Sequence, residues 1–210
     1  MGSIFLTLKR FFVRLYRFRH RCGYHVHSPF AFDLITQVIY EKQSYYAYEN
    51  LKVEEKKQAR MPEKNWVREC RKVNKLLLRL VNKVQPDTIV DVGTLSYSAL
   101  YLQAGKPSAA YVSASDLTDL FLEKGIPIDF LYLHNYKSPA LMEDAFRVCA
   151  VRTHEQSVFV IGGIGYSKRM RVLWKRFIAN EKVGITFDLY DAGILFFDKT
   201  KVKQHYKVYF

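Results

Sequence analysis

Short apolar segments alternate with segments of helical periodicity over the last two thirds of the chain. The apolar segments predict buried strands at 88–92, 109–115, 128–134 and 157–163. Apolar side chains at helical spacing predict helices over 66–84, over 98–104, from Pro139 and after Ser167. Strands and helices that alternate in this way predict a mostly parallel sheet with helices on both faces.

The end of the chain has a different pattern. The segment ITFDLYDAGILFF, at 185–197, predicts two strands around a turn at Asp191, Ala192 and Gly193. The segment HYKVYF, at 205–210, predicts one more strand. Because two strands joined by a short turn run antiparallel, we expect an antiparallel hairpin at one edge of the sheet.

The first 64 residues are expected to form a helical extension, and residues 65–210 an α/β domain. Ser28 and Pro29 have the residue types favoured at the N-cap and the first position of a helix. The polar, charged segment from Glu49 to Lys64 has no clear periodicity and predicts a connector.

Residues 4–21 predict a cationic amphipathic helix with two distinct faces. One face carries Arg10, Arg14, Arg17 and Arg21. The other face carries Phe5, Leu8, Phe12 and Leu15. In the first interpretation the apolar face packs on the protein and the arginines are solvated. In the second, the helix lies on an anionic membrane surface or contacts nucleic acid through its arginines.

The charge balance of the chain is strongly basic, with a formal net charge of +13. Such a surface attracts anions without specifying which. The three cysteines, Cys22, Cys70 and Cys149, are too far apart to suggest a zinc site or a disulfide framework, which favours a reducing cytoplasm. No apolar run has the length of a membrane span, and the basic residues of 4–21 lie within the apolar stretch, unlike those of a signal peptide. We therefore predict a cytoplasmic protein, peripheral to the membrane under the second interpretation of the helix.

The segment IVDVGTLSYSAL, at 89–100, predicts a strand, a tight turn and a helix. The carboxyl ends of parallel strands are where ligands bind in such sheets, and this turn lies there. His25 and His27 are spaced like metal ligands, but no third ligand is evident nearby, so no metal site is predicted.

Several of these segments resemble the class I SAM-dependent methyltransferases, in their O-methyltransferase-like branch. The resemblance rests on DVGTLSYSAL at 91–100, HSPF at 27–30, the helix from YSKRM to Trp174, and FDLYDAGILFF at 187–197. The same segments resemble a methyltransferase-like group of bacterial proteins. The resemblance implies a Rossmann-like three-layer fold with the strand order 3-2-1-4-5-7-6. Because residues 116–127 leave room for only one crossover, we expect one edge strand to be missing, giving the order 2-1-4-5-7-6.

The resemblance also implies a set of residues for S-adenosylmethionine (SAM). Those expected to bind the cofactor are Asp91, Gly93, Thr94, Ser96, Tyr97, Ser115 and Asp116. His134, at the end of a strand, is the candidate general base. The second glycine of the family's turn is absent, and the ring of Tyr97 is expected near its place. Where metal-dependent members carry magnesium ligands, this chain has His134-Asn135 and Gly162-Gly163, so no metal is expected.

These losses predict a protein with an eroded SAM site, a pseudoenzyme that acts as a binding or scaffolding module without a cofactor. One alternative is an active SAM-dependent O-methyltransferase of a small molecule. Another is a basic protein that associates with an anionic membrane surface or with nucleic acid. The sequence leaves open whether the chain forms a homo-oligomer.

Overall fold

The computed structural model describes residues 2–20, 26–43, 45–60, 66–67, 69–118, 120 and 126–210. Its centre is a seven-stranded sheet with the order β2-β1-β3-β4-β6-β5-β7. The strands are β1 (Thr88–Val92), β2 (Ala110–Ala114), β3 (Phe130–Leu133), β4 (Val158–Gly162), β5 (Thr186–Asp188), β6 (Ala192–Phe196) and β7 (His205–Lys207). Strands β1 to β4 are parallel, and β6 runs antiparallel to both β4 and β5.

The predicted strand order is confirmed. Strands β3, β4, β5 and β6 take the places of the fourth to seventh strands of the family, so the first six positions in the sheet read 2-1-4-5-7-6, and β7 adds a seventh. Among the described residues between β2 and β3, none forms a strand. The predicted last strand, β7, pairs in parallel with β5 and lies at the edge of the sheet, beside the antiparallel hairpin of β5 and β6. The turn of the hairpin lies at 189–191, before Ala192, because Ala192 and Gly193 already pair with β4.

The helices are α1 (Gly2–Tyr16), α2 (Pro29–Asp33), α3 (Ala47–Gln58), α4 (Arg71–Val84), α5 (Ser98–Gly105), α6 (Pro139–Ala150) and α7 (Lys168–Ala179). A 3₁₀ turn, Arg17–His20, follows α1, and a π-helical segment, Leu34–Ile39, continues α2. The side chain of Ser28, the predicted N-cap, accepts a hydrogen bond from the third residue of its helix, and that of Ser167 does the same for α7. Helix α6 begins at Pro139 as predicted, but the side chain of Ser138 makes no capping bond.

Two helix predictions are wrong. The segment from Glu49, predicted as a connector, lies in helix α3, which buries only Tyr48 and Leu51 and is otherwise mostly polar. With so narrow an apolar stripe, the helix gives little periodic signal. Helix α4 begins at Arg71 rather than at Trp66, because Val67 is held in extended pairing with Ser96.

The two faces of the sheet are covered by separate cores. Helix α4 and the segment 29–39 pack on one face, and α6 and α7 pack on the other. Within the described ranges, no helix is both long and apolar enough to cross a membrane. The arrangement leaves the carboxyl ends of β1, β3 and β4 as the place where side chains from several elements meet.

Candidate functional site

A buried chain of charged side chains lies at the carboxyl ends of β1 and β3. Asp91 is in β1, and His134 directly follows β3, with its backbone N–H donating to the carbonyl of Val92. The imidazole lies between two carboxylates: Nδ1 is 2.9 Å from Glu69 Oε1, and Nε2 is 3.0 Å from Asp91 Oδ1. The second contact is ionic, since Asp91 Oδ1 accepts no aligned hydrogen bond. We call Glu69, His134 and Asp91 the ion-pair chain.

Glu69 reaches this place because the segment before α4 runs along the loop after β1. Val67 donates its backbone N–H to the carbonyl of Leu95 at 2.9 Å and forms a parallel bridge with Ser96. This pairing carries the chain past the ends of the strands before α4 begins at Arg71. The carboxylate of Glu69 is thereby placed over β3 and almost fully buried.

Two tyrosine hydroxyls donate hydrogen bonds to the carboxylates of the ion-pair chain. Tyr111 donates its hydroxyl to Asp91 Oδ2 at 2.6 Å, and Tyr132 donates to Glu69 Oε2 at 2.8 Å. The Tyr132 ring also stacks on the imidazole of His134, with centroids 4.7 Å apart. Burial and the negative charge of Glu69 hold the pKa of Tyr132 well above its usual value, so its hydroxyl remains a donor.

The electrostatics of the ion-pair chain keep His134 protonated. Its side chain is only 3% exposed, and burial alone would lower the pKa of the imidazole. The carboxylates of Asp91 and Glu69 outweigh burial and raise the pKa of His134 from 6.5 to about 10. At neutral pH the site therefore contains an imidazolium between two carboxylates.

The imidazole of His134 fills the space next to Gly93. A Cβ atom built on Gly93 would lie 2.4 Å from His134 Nε2, which is far inside van der Waals contact. The space that a glycine leaves at this turn normally allows a ligand to approach the backbone. Here it is occupied by a side chain of the protein itself.

The structure brings some of the predicted cofactor residues together and separates others. Asp91 and Gly93 both lie against His134. Thr94 is exposed in the turn, and the hydroxyl of Ser96 bonds to that of Ser98. The two residues predicted beyond the second strand, Ser115 and Asp116, lie exposed in the loop after β2.

The ring of Tyr97, which was expected near the place of the missing glycine, is buried and stacks on Trp66, with centroids 5.4 Å apart. The side chain that lies against Gly93 is that of His134. The carboxylate of Asp116 bonds within its own loop, since Oδ1 accepts hydrogen bonds from both the backbone N–H and the hydroxyl of Thr118.

The end of β4 carries glycines for steric reasons. Gly163 has a φ of +68°, a conformation that L side chains rarely adopt, and a Cβ there would lie 2.9 Å from Tyr136. A Cβ on Gly162 would lie 3.2 Å from His134 Cβ. The two glycines thus allow Tyr136 and His134 to pack over the strand end.

Helix α1 covers the same edge of the sheet, with its arginines facing the protein. Arg10 Nε donates to Asp191 Oδ1 at 2.7 Å, and Arg10 Nη2 donates to the Tyr166 hydroxyl at 2.7 Å. Arg14 donates to the carbonyl of Phe210. The first interpretation of this helix, with solvated arginines and a packed apolar face, is therefore wrong. Arg21 and His25 lie outside the described residues.

A cavity of about 320 Å³ lies between α1 and the ends of β3 and β4. Its charged and polar lining consists of Arg10, Glu69, Tyr132, Tyr136, Tyr166 and Asp191. Glu69 and Tyr132 line this cavity on one side and Arg10 on another, so the cavity adjoins the ion-pair chain. Arg10, Glu69 and Tyr166 have only weak signals in the sequence as site residues, because each contacts a partner that is distant along the chain.

Arg17 fixes the end of this helical cover. It donates to the carbonyl and to the carboxylate of Asp188 at 2.7 and 2.8 Å. Replacing it in Arg17→Leu removes charge-assisted hydrogen bonds from a buried site and should lower the free energy of unfolding by about 2 kcal/mol. Urea unfolding measures this loss, and chymotrypsin cleavage after Phe11 or Phe12 should become faster.

The matched control is Arg147→Leu, which removes an exposed arginine paired with Asp144 in α6. That change should cost less than about 1 kcal/mol. Equal stability and equal chymotrypsin rates for both variants would contradict the role of Arg17 in holding α1.

No protein-family model and no curated protein sequence matches the chain. Solved structures with a similar fold do. One is the SAH-bound Podospora anserina methyltransferase PaMTH1, with a TM-score of 0.57 and 11% identity, over 81% of this chain and 96% of that one. Another is a Staphylococcus aureus protein assigned as a caffeoyl-CoA O-methyltransferase, with a TM-score of 0.51 and 11% identity, over 77% of this chain and 95% of that one.

A third is the cofactor-bound protein Rv0187 from MTB, with a TM-score of 0.52 and 14% identity, over 74% of this chain and 91% of that one. At these identities the similarity concerns the fold. The chain therefore has the Rossmann-like fold of the class I SAM-dependent O-methyltransferases, as the resemblance in its sequence predicted.

Proposed function

We propose that this protein is a methyltransferase-like pseudoenzyme that does not use SAM and serves as a binding or scaffolding module. The observation that carries the proposal is the position of His134, whose imidazole lies against Gly93 between the carboxylates of Glu69 and Asp91. A cofactor that approached the backbone at Gly93 would have to displace this side chain. The residues present therefore do not fit SAM in the manner that the family resemblance implies.

Displacing His134 carries a large energetic penalty. It would break two buried ion pairs and leave two carboxylates without their cation, which typically costs about 3–5 kcal/mol. Since about 1.4 kcal/mol is a factor of ten in affinity, cofactor binding would weaken by roughly 100-fold or more.

The protonation of His134 disfavours the general-base role as well. A general base needs a free lone pair on nitrogen. With its pKa raised to about 10, His134 is protonated at neutral pH, and each of its nitrogens faces a carboxylate. We assign the binding role to the adjacent cavity, which Arg10, Tyr136 and Tyr166 line. The cysteine pattern supports a cytoplasmic location.

Thermal melting with SAM and with S-adenosylhomocysteine (SAH) tests this function. Occupancy of an intact site at about 1,000 times its dissociation constant would add about 4 kcal/mol to stability and raise the melting temperature by several degrees. We expect no shift with either compound at millimolar concentration, whereas an active SAM-dependent methyltransferase melted in parallel should shift.

The active O-methyltransferase is the second candidate, and the SAH-bound PaMTH1 structure of the same fold favours it. A shift of several degrees with SAH would overturn the pseudoenzyme proposal in favour of this candidate. Transfer of a labelled methyl group from SAM to a small phenolic acceptor would then define the reaction.

A further inference from the structure

Helix α1 presents an apolar face to solvent. Four side chains at helical spacing form this face: Leu8, Phe11, Phe12 and Leu15. They are 57%, 57%, 60% and 57% exposed, respectively. Large apolar side chains exposed singly are ordinary, but a contiguous group on one helical face marks a surface that contacts another apolar phase. We call these four residues the apolar face of α1.

The orientation of the helix is fixed by the side opposite to the apolar face. Arg10 pairs with Asp191, and Arg17 pairs with Asp188. These contacts tie α1 to the hairpin of β5 and β6. The apolar face therefore points away from the body of the protein. A rotation of the helix about its axis that buried this face would break both ion pairs.

The charged side chains of α1 are all positive. On a helix of 3.6 residues per turn, Lys9 and Arg14 lie on opposite borders of the apolar face, and Arg14 also donates to the carbonyl of Phe210. The chain has six lysine and arginine residues before Asp33, which is its first acidic residue. Cations that border an apolar stripe place their charges at the level of lipid phosphates when the stripe enters the acyl region.

We propose that α1 binds in the plane of an anionic bilayer surface, with its apolar face inserted and Lys9 at the phosphates. Phe11 and Phe12 supply the largest apolar area. The net charge of +13 attracts the protein to anionic lipid before insertion. This assignment differs from the one made from sequence, because Arg10, Arg14 and Arg17 all form hydrogen bonds within the protein. It does not depend on whether SAM binds.

Co-sedimentation with vesicles tests the proposal on the full-length protein. Vesicles of phosphatidylcholine alone are compared with vesicles that also contain phosphatidylglycerol. We expect the parent protein to pellet with the anionic vesicles and only weakly with the neutral ones. The double variant Phe11→Ser/Phe12→Ser should bind the anionic vesicles at least about tenfold more weakly, since each phenylalanine contributes at least that factor when buried.

The matched control is Val151→Ser/Val202→Ser, which removes two exposed apolar side chains far from α1 in sequence. It should pellet like the parent. Circular dichroism and melting temperature establish that both variants are folded.

Equal pelleting of the parent and the phenylalanine variant would overturn the proposal. Sedimentation equilibrium without lipid gives a second readout. If the parent is a dimer that Phe11→Ser/Phe12→Ser converts to a monomer, and neither binds vesicles, the apolar face belongs to a second copy of this chain and the bilayer assignment is wrong.

Discussion

Replacing His134 with glutamine is expected to lower the free energy of unfolding by about 3–5 kcal/mol. The substitution removes the cation between Glu69 and Asp91 and leaves two carboxylates in a buried place. Unpaired buried charges are among the few single changes that reach this magnitude. Urea unfolding of the parent and of His134→Gln measures the difference directly.

His154→Gln is the matched control. His154 also pairs with a carboxylate, since its Nε2 lies 2.7 Å from Asp129 Oδ1, but its side chain is partly exposed. Removal of such a pair should cost less than about 1 kcal/mol. If the two variants lose the same stability, the buried ion-pair chain stabilises the fold no more than a partly exposed ion pair does.

The second large effect is a dependence of stability on pH between 6.5 and 10. The pKa of His134 is raised by folding from 6.5 to about 10. The folded state therefore holds this proton more tightly than the unfolded state does. Its stabilising contribution is fully present below pH 6.5 and is lost as the pH rises towards 10. The loss should amount to roughly 3–5 kcal/mol over this window.

The variant His134→Gln isolates this effect from the titration of other groups. The stability difference between the parent and the variant should be largest near pH 6.5 and should shrink steadily towards pH 10. A difference that stays constant across this range would show that His134 is not protonated in the folded protein.

The fold could be predicted from the sequence because its signals are local. Each parallel strand is a short apolar segment, and the turn after β1 carries Asp91 and Gly93 at the spacing of the methyltransferases. That the described residues between β2 and β3 form no strand agrees with the short length of this segment. Helix α3 was not predicted, because Tyr48 and Leu51 alone give no periodic pattern.

The candidate site could be predicted only in part. His134 was identified from its place at a strand end, but its two partners come from different parts of the chain. Asp91 lies in the neighbouring strand, and Glu69 is brought close by the pairing of Val67 with Ser96. No local pattern encodes such pairings, and so the contact of His134 with Gly93 was not predicted.

The orientation of α1 was mispredicted for a similar reason. Periodicity separates an arginine face from an apolar face but does not say which of them the protein covers. The decisive partners, Asp188 and Asp191, lie more than 170 residues further along the chain. Without them, burial of the apolar face was the simpler expectation.

The most direct measurement is the ¹⁵N spectrum of the histidine side chains, with the His134 signal assigned by its loss in His134→Gln. At neutral pH we expect both ring nitrogens of His134 to be protonated and millimolar SAH to leave their signals unchanged. A neutral imidazole at this pH, or a His134 signal that moves when SAH is added, would contradict a cofactor cleft closed by the ion-pair chain.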